Sequence, residues 1–439
     1  MNKNIFKEKL NPFKEFLHNE AIGGIILLVV TILAIILSNL SIASFFSEIW
    51  RSEINIKFGG LDFGFSLLHA INDGLMVLFF FVVGLEIKRE LLVGELSSLK
   101  KALLPMIGAV GGMIIPAIIY LIFNSSGKGS DGWAIPVATD IAFVVGILVL
   151  LKNSIPSSLR IFLTALAIVD DIGAVVIIAV FYTASISLPA LMVAFLFIFF
   201  LILSNVLGVK KLSVYIFLGV GLWFAFLQSG IHTTIAGVIL AFTIPSKSKL
   251  DQSDFLKSSK RRIVEIGSSL LRPIKKEEAE ERLAIIQALG KNCQDALTPL
   301  QRFEINLHPW VTFFIIPLFA FANAGVSIGN NIGEFLFDPV CLGIVFGLFF
   351  GKQLGIFLFS YLAIKLKLSE SPLDTSTKQL YGASVLAGIG FTMSLFIAGL
   401  SFSQEVALLD TARIGILIAS VISGSVGYVL LRQRQPIKD

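Results

Sequence analysis

The sequence predicts an all-α polytopic membrane protein, and three observations predict it. Hydrophobic residues make up 55% of the 439 positions. Only 15% are charged, against roughly 25% in a soluble globular domain. Apolar runs close to the ~20 residues that cross a bilayer core recur along the whole chain. Lipid, rather than a self-made core, is therefore the solvent for most of the molecule. Cys293 and Cys341 lie far apart and outside any CxxC pattern, so neither a disulfide framework nor a cysteine metal site is expected.

About twelve spans are expected in one transmembrane unit covering 1–439, at 21–40, 67–87, 102–124, 134–151, 161–182, 188–207, 213–228, 231–244, 309–327, 340–364, 381–401 and 411–431. The runs at 134–151 and 231–244 are short and carry charges or turn residues. Between the first two spans, "INIKFGGLDFGF" (54–65) alternates with period two around Gly59-Gly60, which predicts a β-hairpin. Residues 1–20 are charged and carry Phe6, Phe13 and Phe16, the pattern of an interfacial helix; no signal-peptide cleavage site is evident.

Basic residues fix the expected orientation. Thirty of the thirty-five Lys and Arg fall at the two termini and in the loops after even-numbered spans. The positive-inside rule then places both termini in the cytoplasm and the hairpin outside. That asymmetry accounts for the net charge of +5 without nucleic acid. The loop 246–308 is the one long soluble excursion, with twelve of the basic residues. Within it "KKEEAEERLAIIQALG" (275–290) predicts a helix with acidic residues early and Gly290 as its stop.

Charges inside the spans are few: Asp73, Glu86, Asp140, Asp170, Asp171, Lys352 and Arg413. Each costs about 2.5–3.5 kcal/mol at a helix centre, so Asp140, Asp170, Asp171 and Lys352 together would cost about 10–14 kcal/mol. Pairing must recover much of that. Three carboxylates and one ammonium do not neutralise one another, so protons or a cation must balance the remainder. Adjacent residues on a helix point about 100° apart. Of Asp170 and Asp171 in "ALAIVDDIGAVVII", one is thus free to face a cavity while the other meets a partner. Hard oxygen donors suit Na⁺ or Li⁺ as well as H⁺, and a site that takes either is an exchange site. The same carboxylates would also serve simply to pin helices together.

Two spans carry interruptions. "AIPVATDIAF" places Pro136, Thr139 and Asp140 in the fourth, and "LAGIGFTMSLF" places Gly388, Gly390 and Thr392 in the eleventh. Interrupted spans at corresponding places in two halves mark the binding site of inverted-repeat transporters. Spans 3–5 and 10–12 are the expected repeats, with the two discontinuous helices crossing near the midplane. Asp140 would offset the positive helix ends there and Lys352 the negative ones. Arg413 is expected to snorkel to the outer surface, and Asp73 to cap or bond a neighbouring helix.

"GLEIKREL" (84–91), "AIPVATDIAF", "ALAIVDDIGA", "SGIHTTIAGVI", "LHPWV", "PLFAFANAGVS", "GKQLGI" and "GIGFTMS" follow one another in an order that resembles the NhaA family of bacterial sodium/proton antiporters. The resemblance covers nearly the whole chain. It implies a bacterial inner-membrane antiporter working by alternating access, with Na⁺, Li⁺ and H⁺ as cargo and no cofactor. It implies that Asp170 and Asp171 hold the ion and protons, with Asp140 and Thr139 at the broken helix and Lys352 pairing Asp170 when the cation is absent. Electrogenic exchange of two protons for each Na⁺ is implied too, as is activation at alkaline pH through Glu86, Arg89, Glu90, Glu304 and His308. The hairpin at 54–65 matches the family's homodimer contact. The chain departs from the family in two places: Gln353 stands where the motif often reads GKP, and the loop before "LHPWV" is longer than in compact members.

Read on their own spacing, Glu86 and Glu90, and likewise Glu304 and His308, are i,i+4 pairs that ordinary helix-end ion pairing would explain. His232 in "SGIHTTIAG" is a candidate proton sensor or a hydrogen-bonded packing histidine. Two other functions compete with exchange. An intramembrane aspartyl protease would need a GxGD signature, which the chain lacks. A sodium-coupled symporter of a small organic anion would need a larger cavity with convergent basic or amide groups.

Overall fold

The computed structural model describes residues 12–58, 61–151, 154–183, 186–248, 250–270, 276–326 and 332–432. Residues 1–11, half of the expected interfacial helix, lie outside them. From Pro12 the chain runs as one helix, α1 (Pro12–Asn39), directly into the first apolar run. A short amphipathic helix α2 (Ala43–Arg51) follows. Strands β1 (Glu53–Phe58) and β2 (Leu61–Ser66) then pair antiparallel, from Glu53 opposite Ser66 to Phe58 opposite Leu61.

The spans that come next are α3 (Leu67–Val93), with a π-turn at Ala70–Leu75, and α4 (Leu99–Phe123). The fourth is interrupted as its Pro136 and polar pair require: a 3₁₀ stretch (Lys128–Val137), extended residues 138–140, then α5 (Ile141–Leu150). Helices α6 (Ser157–Phe181), α7 (Leu188–Val206) and α8 (Leu212–Ser229) are uninterrupted. Gly230, at φ +80°, ends α8 in the left-handed conformation that favours glycine.

The run at 231–244 forms only α9 (Thr234–Thr243), ten residues, a rise of about 15 Å against a hydrocarbon core of about 30 Å. The loop 246–308 is largely helical. Helix α10 (Gln252–Leu270) packs on α11 (Lys276–Ala296), and the Asn292 amide donates to the Ser258 hydroxyl at 3.1 Å. Gly290 does not stop α11. A glycine inside a helix costs only ~1 kcal/mol, which packing against α10 offsets.

Helix α12 (Pro299–Asn323) begins ten residues before the apolar run at 309, because Thr298 and Gln301 form a reciprocal capping box. Pro309 lies inside it, and a π-turn at Val311–Ile315 follows. Glu304 and His308 therefore sit on a span helix rather than at a loop's end. The remaining spans are α13 (Pro339–Lys365), with a π-turn at Gly347–Gly351, the bent pair α14 (Thr377–Leu386) and α15 (Phe391–Ser401), and α16 (Val406–Arg432). Among the described residues, ten helices are long and apolar enough to cross a membrane, or eleven with the bent pair as one span.

Most of the core gathers where α3, α5, α6 and α12–α16 meet, and a satellite cluster around Tyr215, Leu222 and Phe226 joins α7, α8 and α9. Helices α4 and α13 touch backbone to backbone. A Cβ on Gly111 would strike the Gly355 carbonyl, and one on Gly355 the Gly111 carbonyl. Arg413 does not snorkel: it pairs with Asp410 at 2.9 Å and its side chain is 13% exposed. With a carboxylate one turn away, it has no need to reach the surface.

Candidate ion-binding site

The two interrupted segments meet, and each break is hydrogen-bonded to the other. The Asp140 N–H donates to the Ile389 carbonyl at 2.7 Å. Thr139 Oγ1 donates to the Ala387 carbonyl at 2.9 Å, and Ser394 Oγ to the Ile135 carbonyl at 2.8 Å. Gly388 and Gly390 occupy the break between α14 and α15, whose axes differ by 44°. Unwound backbone of this kind survives at membrane depth only where protein satisfies it, and here each segment supplies the other's partners.

Asp140 stands between two helix N-termini. It caps α5, with Oδ1 accepting from the Phe143 N–H at 3.1 Å. Its Oδ2 accepts from the start of α15: the Thr392 N–H at 3.0 Å and the Thr392 hydroxyl at 2.5 Å. Three donors and two positive helix ends thus balance this carboxylate, the role the sequence suggested for it. Thr392, singled out only as part of a break, proves to be a direct partner.

Lys352 has a different partner from the negative helix ends considered above. Its Nζ donates to Asp170 Oδ2 at 2.6 Å, and both side chains are 0% exposed. The Ala387 carbonyl, at the end of α14, is taken by Thr139 instead.

Asp171, on the neighbouring position of α6, points elsewhere. It lines a cavity of about 70 Å³ together with Asp140, Thr392, Thr164 and Thr312, and with Glu86 of α3 and His308 of α12. The Oδ1 atoms of Asp170 and Asp171 are buried with no hydrogen-bond partner. Asp170 is paired with Lys352 and Asp140 accepts from three donors, whereas Asp171 faces the cavity with no hydrogen bond to its Oδ1. The carboxylates and threonine hydroxyls of this lining are hard oxygen donors, which suit a small alkali ion.

The remaining candidates divide into two places. Arg89 binds Glu304 and, at 3.2 Å, Glu90, whose other oxygen accepts the Glu95 N–H at 3.0 Å. This α3–α12 cluster adjoins Glu86 and His308, which line the cavity. His232 is not part of it. It lies 3.7 Å from Asp73, bonds Thr234 at 3.1 Å, and packs edge-on to Phe396 of α15. Asp73 bonds a neighbouring segment as expected, accepting from the Thr233 hydroxyl at 3.0 Å. Sequence reading missed His69, whose Nδ1 is 3.0 Å from Asp73; its i,i+4 spacing from that aspartate was the available signal. Thr164 and Thr312 were also missed, because threonine in an apolar run is ordinary.

A multi-pass helical bundle with buried carboxylates beside two broken helices bonded at their breaks has the architecture of a secondary transporter. The family described as Na⁺/H⁺ antiporter 1 matches residues 14–431, and the chain belongs to that family. Among its relatives is the Na⁺/H⁺ antiporter NhaA of Koribacter versatilis, 47% identical over 430 residues, 98% of this chain and 92% of that one. The NhaA of Acidithiobacillus ferrooxidans is 46% identical over 430 residues, 97% and 98% of the two chains. NhaA 1 of Clostridium beijerinckii is 44% identical over 433 residues, 98% and 97%.

Proposed function

We propose that the protein expels cytoplasmic Na⁺ or Li⁺ in exchange for external protons, with Asp171 as the cavity-facing half of a shared ion and proton site. The observation that carries this is the division of labour between adjacent carboxylates. Asp170 is locked to Lys352, while Asp171 faces the cavity with an unpartnered oxygen. A cation bound at Asp171 and Asp170 competes with the Lys352 ammonium for Asp170, so loading favours release of protons from the cluster. Protons at high concentration displace the cation by the same competition. Exchange of two protons per Na⁺ would make the cycle electrogenic.

The cavity bears on the competing symporter. Its lining carries no lysine or arginine to receive a carboxylate.

In this reading the cavity opens past Glu86 and His308 to the cytoplasm. The Arg89–Glu90–Glu304 cluster governs activation at alkaline pH, and His232 contributes from its own position against α15. The twelve spans would include α9 as a half-length eighth, with repeats at spans 3–5 and 10–12 and the crossing at the bilayer midplane. Both termini would lie in the cytoplasm of a bacterial inner membrane, and the β1–β2 hairpin would join two copies.

Reconstituted vesicles test the core of this. Asp171→Asn should abolish Na⁺-driven proton movement, a loss of at least a hundredfold, and calorimetry on the native protein should record proton release when Na⁺ binds. Normal exchange by the variant would overturn the assignment.

A further inference from the structure

The residue after the buried lysine makes a bond that the exchange site does not use. Gln353 is only 4% exposed, and its Oε1 accepts the Tyr381 hydroxyl at 2.6 Å. Tyr381 belongs to α14, the first half of the bent pair. Consecutive side chains of α13 therefore hold two different elements: Lys352 holds α6 through Asp170, and Gln353 holds α14 through Tyr381. They diverge because successive helix positions differ by about 100°.

The far end of α14 is the break itself, where the Ala387 and Ile389 carbonyls accept from Thr139 and Asp140. A chain of direct contacts thus runs from the paired breaks, along α14, across the Tyr381–Gln353 bond, to the backbone that carries Lys352. The α13 segment just before this point is a π-turn, Gly347–Gly351. Such single-turn π segments inside α-helices are frequent at functional sites.

We propose that Gln353 is a positioning residue, which makes the placement of Lys352 against Asp170 depend on the position of α14. When α14 shifts with the broken helices during exchange, the bond carries that shift to Lys352 and so sets when the ammonium releases Asp170. This rests on the exchange reading above. Gln353 touches neither ion nor proton.

The test uses the full-length protein in proteoliposomes, with Gln353→Leu, Tyr381→Phe and the double variant. Each single variant should lower the maximal exchange rate about two- to tenfold, the range one neutral hydrogen bond spans, with the apparent KM for Na⁺ within twofold. Each should also displace the pH of half-maximal exchange, since the bond helps place Lys352 in its direct contact with Asp170. The double variant should be no worse than the singles. Normal rates and pH profiles in both singles, additive losses in the double, or slower exchange at an unchanged pH midpoint with a matching loss of thermal stability would each overturn the proposal. Tyr381→Phe deletes one oxygen from a side chain 37% exposed, so it keeps the test open should Gln353→Leu fail to fold. Asp171→Asn run alongside separates the two ideas: an inactive Asp171 variant beside a normal Gln353 variant sinks only the coupling, and an active one sinks the site.

Discussion

Removing Lys352 alone should harm the protein more than removing it together with its partner. Both members of the Lys352–Asp170 pair are 0% exposed and 2.6 Å apart, so either single deletion strands a charge that water does not reach. Stranding one member of a buried pair costs about 3–5 kcal/mol, whereas replacing both by apolar groups of similar volume is often neutral or better. Lys352→Met and Asp170→Leu should therefore each lose about 3–5 kcal/mol of unfolding free energy, and the double variant far less than the sum. The singles should also respond oppositely to pH. In Lys352→Met, the stranded carboxylate is relieved by taking up a proton, so the loss grows as pH rises. In Asp170→Leu, the stranded ammonium is relieved by losing one, so the loss grows as pH falls. Unfolding by denaturing detergent in mixed micelles, run at mildly acid and alkaline pH, measures all four corners of the cycle. Additive losses, or the same pH trend in both singles, would refute the claim that these two side chains answer chiefly to each other.

Other expectations follow from single contacts. Thr392→Val removes the hydroxyl that donates to Asp140 at 2.5 Å and keeps the backbone donor. A bond to a charged group is worth about 1.5–3 kcal/mol, so exchange in vesicles should fall about tenfold or more, with Thr392→Ser close to native. Arg89→Gln takes the shared cation from Glu304 and Glu90 and should move the pH profile of exchange while leaving the maximal rate near native; an unmoved profile would detach this cluster from regulation. Gly355→Ala places a methyl against the Gly111 carbonyl and should cost about 1–3 kcal/mol by overpacking, seen as lower thermal stability in detergent.

Much of the architecture was legible because lipid imposes a blunt rule on composition. The apolar runs at 102–124 and 188–207 became α4 and α7 within a few residues at either end. Hydropathy was less informative where helices begin in polar sequence, as at Thr298, whose capping box starts α12 well before the apolar run. Runs shorter than a span likewise announce a helix without its length, as with α9. The charged candidates inside the spans were readable from their cost alone, since nothing but function or pairing retains Asp140, Asp170, Asp171 and Lys352 in such surroundings. Their partners were not. Periodicity gives the 100° between Asp170 and Asp171 but not which one meets Lys352, because that depends on the azimuth of a helix 182 positions away. Arg413 shows the same limit: snorkelling was reasonable from its depth, and a neighbouring aspartate one turn earlier decided otherwise.

The seam between Gly111 and Gly355 decides which parts of this molecule are free to travel. Two backbones already in contact have no slack to slide past one another without first separating, and separation would open a void along most of their shared length. In the exchange cycle proposed above, α4 and α13 would then move as one strut, so a shift passed to Lys352 through Gln353 would carry α4 with it. The Lys352–Asp170 contact would then open only through movement of that strut relative to α6.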